Sequence, residues 1–301
     1  LSIVPGGTSD VVECDGNEAR LAQTLRDDHQ PLIDFREHRE STATQFGDSC
    51  GRLEESMKAL LVRIGVDQKY GRWNAPVDGE GRFVYVPIPE KLGTTFHTGL
   101  ERRYGELLPA LQRFCGDHDC DLASDLRFPQ ELLHHPMHLD PDFECLTYGD
   151  EGGRRGAGMV DMTEGDLLVF YGGLRPVHRC EHTLIYALLG IFVVQEVVSV
   201  ACVQDERWYE NAHVRKTKRG DTDIVVRAKP GISGRFDRCI PIGEWRNKSY
   251  RVRNTILDAW GGLSVKDGFI QRSAVPPAFN KPKQFLAWLK KQGVALVARN
   301  N

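Results

Sequence analysis

The sequence predicts an α+β protein, a mixed β-sheet with a few helices on its flanks. Two observations carry this. Runs rich in Val and Ile and bounded by Gly or Pro, such as "KALLVRIGV" (58–66) and "TLIYALLGIFVVQEVVSV" (183–200), read as strands. Amphipathic stretches at helical spacing, such as "GLERRYGELLPALQRFC" (99–115), are fewer. With 41% hydrophobic and 27% charged residues over 301 positions, the composition suits a globular chain of one large domain or two small ones.

Residues 1–56 hold 12 Asp/Glu against 5 Lys/Arg and show little alternation. They predict a peripheral acidic extension, capable of one helix over 18–40, ahead of a compact domain over 57–301. Met57 opens the strand pattern, and "DQKYGRWNAPVDGEG" (67–81) follows as a loop. "RFVYVPIP" (82–89) alternates like a strand stopped by Pro87 and Pro89. The helix over 99–115 should kink at Pro109. "EGDLLVFYGGL" (164–174) reads as a turn at Gly165 and Asp166 feeding a strand, and Gly190 marks a bulge in the apolar run after it. "KPKQFLAWLKKQGV" (281–294) predicts a last helix, with Pro282 in its first turn and Gly293 near its end.

Several classes are excluded. The longest apolar stretch (184–203) is broken by Gln195, Glu196 and Ser199, so it reads as buried strand and not as a membrane span. No basic region followed by an apolar one opens the chain, so no secretory leader is expected. The 8 cysteines are scattered without a C-x-x-C pair. They predict reduced thiols in a cytoplasmic protein, not a structural zinc site. A Walker loop, a Rossmann glycine fingerprint and a zinc-deaminase motif are missing.

The net charge of −3 conceals a basic region, since residues 207–253 carry 13 Lys/Arg against 5 Asp/Glu. Its bursts supply Arg215, Lys216, Lys218, Arg219, Arg235, Arg246, Lys248, Arg251 and Arg253, with aromatics such as Trp208 and Trp245 between them. Positive charge interleaved with stacking groups suits a phosphate-tracking surface, so these residues are the expected DNA-backbone contacts.

The "GD" turn of 164–174 and the "LLGIFVVQEVV" strand (188–198) resemble the PUA, ASCH and EVE group of small β-barrels, which bind RNA or modified bases. That resemblance implies a barrel over roughly 157–260, joined to a mixed sheet in the N-terminal half. Six segments in order, "VRIGVDQKYGRWNAPV", "VPIPE", "RRYGELLP", "HLDPDFE", "GDLLVFYGGLRP" and "LLGIFVVQEVV", are similar to the third of the nucleotide-modification-associated domains. They cover most of 57–200. The resemblance implies work on double-stranded DNA carrying hypermodified bases, in a setting of phage and anti-phage defence.

The chemistry centres on "HLDPDFE" (138–144). Breaking an N-glycosidic bond builds positive charge on the deoxyribose, and a carboxylate beside it stabilises that charge. Asp140, Asp142, His138 and Asp67 are therefore the expected catalytic groups of a DNA glycosylase that removes a base such as glucosylated hydroxymethylcytosine. Tyr70, Trp73, Asn74, Tyr148 and Tyr171 are the expected pocket for the flipped base. This reading needs no metal and no organic cofactor. Two alternatives stand beside it. In one, His138-x-Asp140 is part of a facial triad in an Fe(II)/2-oxoglutarate-type base oxygenase, with His178, His182 or His213 as distal ligand. In the other, Asp-Pro-Asp is turn chemistry and the protein is a non-catalytic reader of modified bases. His134 and His135 are expected to be surface or packing residues.

Overall fold

A computed structural model of the protein describes residues 57–117, 127–153, 156–178, 183–271 and 275–301. The segment 1–56, with the helix expected over 18–40, lies outside the described residues, as does His182.

One mixed sheet organises the fold. Strand β1 (Ala59–Arg63) runs parallel to β6 (Leu167–Pro176), with Ala59 beside Leu167. On its other edge β6 pairs antiparallel with the long β7 (Ile185–Ser199). Two strands share the far edge of β7. Its first half takes β9 (Gly234–Pro241) and its second half takes β8 (Ile224–Ala228). Strand β5 (Thr147–Asp150) adds to β8, β2 (Pro76–Val77) to β6, and β12 (Leu296–Val297) to β9.

The path β1-β6-β7-β8-β5 is open, and no closed barrel is found among the described residues. This corrects the barrel expected over 157–260. Strands β1 and β5, from the first half of the chain, pair directly onto β6 and β8 of the second half. Edges that a barrel would join to one another are thereby occupied, and the two expected halves merge into one sheet.

Both faces of the sheet are covered. Leu60, Val62, Leu168 and Phe170 meet Tyr85, Phe143 and Phe192 on one side. Ala59, Leu61, Leu167, Val169 and Tyr171 meet Trp260, Phe279 and Phe285 on the other. Strands buried on both faces need no polar side, so they read as continuous apolar runs. The turn into β6 follows the sequence: Gly165 has φ 91°, and Asp166 accepts hydrogen bonds from Lys58 N (2.7 Å) and Thr163 N (2.8 Å). Pairing of β7 with β9 shifts register between Leu188 and Gly190. A Cβ at Gly190 would stand 2.7 Å from Gly234 O and 2.8 Å from the Phe143 ring, so only glycine admits both neighbours at this bend.

Two expectations are adjusted. The strand over 82–89 shrinks to β3 (Ile88–Pro89), paired with β4 (Met137–His138), because prolines bring no N–H to a ladder. The helix over 99–115 becomes a 3-10 turn at Tyr104–Leu107 followed by α1 (Leu108–Asp117). Pro109 sits in the first turn of α1, where a helix leaves its N–H groups unpaired, and so starts the helix instead of kinking it.

The short helix α2 (Ala157–Val160) precedes β6. The hairpin of β10 (Gly243–Arg246) and β11 (Ser249–Val252) leads into α3 (Asn254–Trp260). Helix α4 (Pro282–Leu289) continues as a 3-10 turn that ends at Gly293, φ 64°. Among the described residues no helix is long and apolar enough to cross a membrane.

Candidate metal centre

The segment "HLDPDFE" links β4 to β5 across the first core. Leu139 and Phe143 are buried in that core, Phe143 edge-on to Tyr85, Phe170 and Phe192. Pairing of Ile88 with His138 brings Glu90 alongside the imidazole. These apolar anchors and the strand pair place His138 and Asp140 on one side of the loop. The Asp140–Pro141 peptide is cis.

His213 arrives from the loop ahead of β8. Together His138, Asp140 and His213 form a group whose ligand atoms all lie within 4.8 Å of one another. His138 Nε2 is 3.8 Å from Asp140 Oδ2, and His213 Nε2 is 3.9 Å from the same oxygen. Those gaps are too long for hydrogen bonds. Ligands about 2.0–2.2 Å from a shared metal stand roughly 3.0–3.5 Å apart, so an inward shift of a few tenths of an ångström would complete a site.

The surroundings fix each donor. His138 Nδ1 lies 2.8 Å from Glu90 Oε2, and His213 Nδ1 lies 2.9 Å from Asp223 Oδ2. A carboxylate behind Nδ1 accepts a hydrogen bond from Nδ1–H, which holds the proton there and leaves Nε2 as the lone-pair end, the arrangement of metal-bound histidines. Asp140 Oδ1 accepts from Gly149 N (2.8 Å) and from Asn211 Nδ2 (2.9 Å), which leaves Oδ2 facing the histidines. Gly149 is required by contact. A Cβ there would fall 2.4 Å from His213 Cδ2 and 2.5 Å from Asn211 Oδ1.

The electrostatics are those of a site short of positive charge. Glu90, Asp140 and Asp223 are all buried carboxylates. Among the described residues Lys216 is the ammonium within ion-pair range of them, 3.2 Å from Glu90 Oε2. Burial pushes Asp140 up to about 7, against the pull of His213 and the hydrogen bonds from Gly149 and Asn211. Burial pushes His138 down to about 4, although Glu90 opposes it. Burial also works against charge on Glu90, but the His138 hydrogen bond and Lys216 outweigh it and hold the carboxyl well below its usual range. A neutral imidazole and a carboxylate that resists ionisation are what a binding dication would relieve.

Asp142 has different work. Arg215 donates to its Oδ2 (2.6 Å), Asn300 donates to its Oδ1 (3.1 Å), and its Oδ1 caps Glu144 N and Cys145 N. Asp67 caps Lys69 N and Tyr70 N and pairs with Arg63 at 2.8 Å. Both carboxylates are thus engaged in holding loops. Of the expected pocket, Tyr148 packs on Phe170, and its hydroxyl is raised first by burial and then by the charge of Asp140, which places it near the centre. Tyr171 donates to Ile270 O (2.8 Å) in the second core, Asn74 donates to Gly173 O (2.9 Å), and Trp73 lies edge-on to Phe128. Tyr70 is partly exposed. Tyr171, Asn74 and Trp73 serve packing in the structure.

The expected backbone contacts divide similarly. Arg215 is buried on Asp142, and Arg235 is buried over the Phe83 ring, so neither offers its guanidinium to a phosphate. In a basic run, some residues turn inward while others stay at the surface. Lys216 pairs with Glu90 behind His138. Arg219 lies over Trp208, which stacks on His97. Lys218 and Lys248 are exposed, Arg246 and Arg251 pair with Asp267, and Arg253 caps α3. Of the three distal histidines weighed from sequence, His213 joins the cluster and His178 is exposed. Glu90, Gly149, Asn211 and Asp223 carried no motif and were not legible beforehand.

No curated protein and no solved structure matches the chain. A family model described as nucleotide modification associated domain 3 matches residues 58–268, which include every residue of the cluster and both carboxylates behind it. The chain belongs to the nucleotide modification associated domain 3 family.

Proposed function

We propose that this chain is a divalent-metal-dependent enzyme that acts on the base of a nucleotide in DNA, with His138, Asp140 and His213 as the metal ligands. The observation that carries this reading is the aim of two Nε2 atoms at one carboxylate oxygen, each imidazole backed by its own buried carboxylate. Family membership supplies the nucleotide-modification context. Two imidazoles and one carboxylate suit non-haem Fe(II) best, with zinc the other common occupant of such a set.

Bound there, iron supplies oxidising chemistry at the positions its protein ligands leave open. The chain's own residues do the rest. Glu90 and Asp223 hold the imidazoles in one tautomer, Asn211 and Gly149 occupy Asp140 Oδ1 and so leave Oδ2 on the histidine side, and Lys216 balances the charge of Glu90. The test is anaerobic titration of the purified protein with Fe(II) or Co(II), followed by incubation with modified DNA, O2 and 2-oxoglutarate and mass spectrometry of the nucleosides. One equivalent of metal and a metal-dependent change in base mass are expected. Failure to bind any divalent metal overturns the reading.

A second reading, hydrolytic excision of a hypermodified base, is favoured by one observation. Asp140 held near 7 would keep a protonated fraction at neutral pH, as a general acid needs. It predicts alkali-labile sites in the DNA that form in excess EDTA and vanish in Asp140→Asn. DNA binding with neither product would leave a reader of modified bases.

A further inference from the structure

The C-terminal part of the fold has the opposite electrical character from the metal centre. Residues 243–292 carry 10 Lys/Arg against 3 Asp/Glu. The β10–β11 hairpin stands at its surface. Its turn residues Asn247 and Lys248 have φ 54° and 61°, the two left-handed positions of a tight hairpin turn, which put Lys248 at the tip. Trp245 is 57% exposed, an unusual place for the largest apolar side chain. It is not loose. The ring lies edge-on to Tyr250 (centroids 5.1 Å), Tyr250 stacks on Tyr186 (4.5 Å), and the Arg63 guanidinium lies over the Tyr186 ring (5.6 Å). The exposed ring is the outer end of a buttressed aromatic ladder.

Beside the hairpin is a hollow of about 510 Å³ lined by Asn247, Arg251, Val265, Lys266, Asp267 and Phe269. Asp267 is already neutralised by Arg246 and Arg251. Among the described residues neither Lys248 nor Lys266 is ion-paired, and Arg251 Nε is buried without a hydrogen-bond partner. The hollow therefore offers surplus positive charge.

We infer that the β10–β11 hairpin and the hollow beside it form a docking surface for duplex DNA, with Trp245 stacking or wedging against bases or sugars and Lys248 and Lys266 holding backbone phosphates. A two-stranded ribbon fits a duplex groove, and phosphate contacts set register while the chemistry happens elsewhere. This rests on the reading of the chain as an enzyme acting on DNA.

The experiment is fluorescence anisotropy of a labelled DNA duplex with the full chain at several salt concentrations, with Co(II) binding measured in parallel. Trp245→Ala should weaken binding about fivefold or more. In Lys248→Ala/Lys266→Ala the slope of log affinity against log salt should fall by about 2. Both variants alter exposed side chains and should keep the wild-type Tm and Co(II) affinity. If the wild type binds duplex and the variants bind equally well, with equal slopes, this surface is wrong and the proposed function stands. If the wild type binds no DNA while Co(II) still binds, both the surface and the DNA substrate fall, and the metal centre remains. Tighter binding of a single strand than of the duplex also overturns the inference.

Discussion

Asp140 and Asp142 stand on either side of one proline and have opposite surroundings. Asp142 is saturated: an arginine, an asparagine and two backbone N–H groups satisfy it. Asp140 is buried too, yet its Oδ2 faces two imidazole edges at 3.8 and 3.9 Å. The first is a structural ion pair. The second is a carboxyl group with one oxygen turned toward two imidazoles. Burial alone does not separate function from structure here; the completeness of the partners does.

The largest break between the two comes from removing Asp142. Asp142→Ala strands Arg215 in the interior, where an unpaired guanidinium costs about 3–5 kcal/mol. Urea unfolding should show that loss, and the folded fraction should still bind Co(II). Asp140→Asn should do the reverse, lowering Co(II) affinity by about 100-fold or more, while the metal-free protein at neutral pH unfolds no more easily than the wild type, because the variant no longer loses stability as Asp140 ionises. Equal losses of metal affinity in both variants would erase the distinction.

Only part of this contrast was readable in the sequence. H-x-D marked His138 and Asp140 because they share one short loop, and His213 was one of three distal histidines in the alternative, iron-dependent reading. Asn211, which sorts the two oxygens of Asp140, lies 71 residues away, and Glu90 lies 48 residues before His138. Nothing local marks either residue. The strands were legible for a different reason: β1, β6 and β7 are buried on both faces and so are continuously apolar. Their pairing was not, because hydrophobic pattern specifies which face is buried and not which neighbour sits alongside. The parallel pairing of β1 with β6, set by contacts across more than a hundred residues, is what replaced the expected barrel with one open sheet.

A smaller effect tests whether the carboxylates behind the histidines act through them. Glu90→Ala and Asp223→Ala should each lower Co(II) affinity about 10–100-fold, in the range found for such supporting groups. Neither touches the metal position, so the Co(II) spectrum at saturation should keep the intensity of the wild-type coordination number. A changed coordination number would make one of them a ligand and the triad a different set.

The smallest effect is one of pH, and its sign distinguishes the two sides of the centre. In the metal-free protein His138 is held at about 4, below its ordinary value of 6.5. Between those values the unfolded chain binds a proton that the folded chain refuses. This contribution to stability is therefore full above pH 6.5 and is lost as pH falls toward 4. Asp140 runs the other way. Its carboxyl is raised from 3.8 to about 7, so the folded chain holds a proton that the unfolded chain releases, and stability is lost as pH rises from 3.8 to 7. Across roughly pH 4 to 6.5 the two slopes oppose and the wild type should show a shallow profile. Asp140→Asn removes only the descending contribution, so urea unfolding of the EDTA-treated variant should show stability rising with pH over that window. Parallel profiles for variant and wild type would mean that Asp140 does not carry the proton. The same proton competes with metal at Oδ2, so wild-type Co(II) affinity should fall as pH drops below about 7.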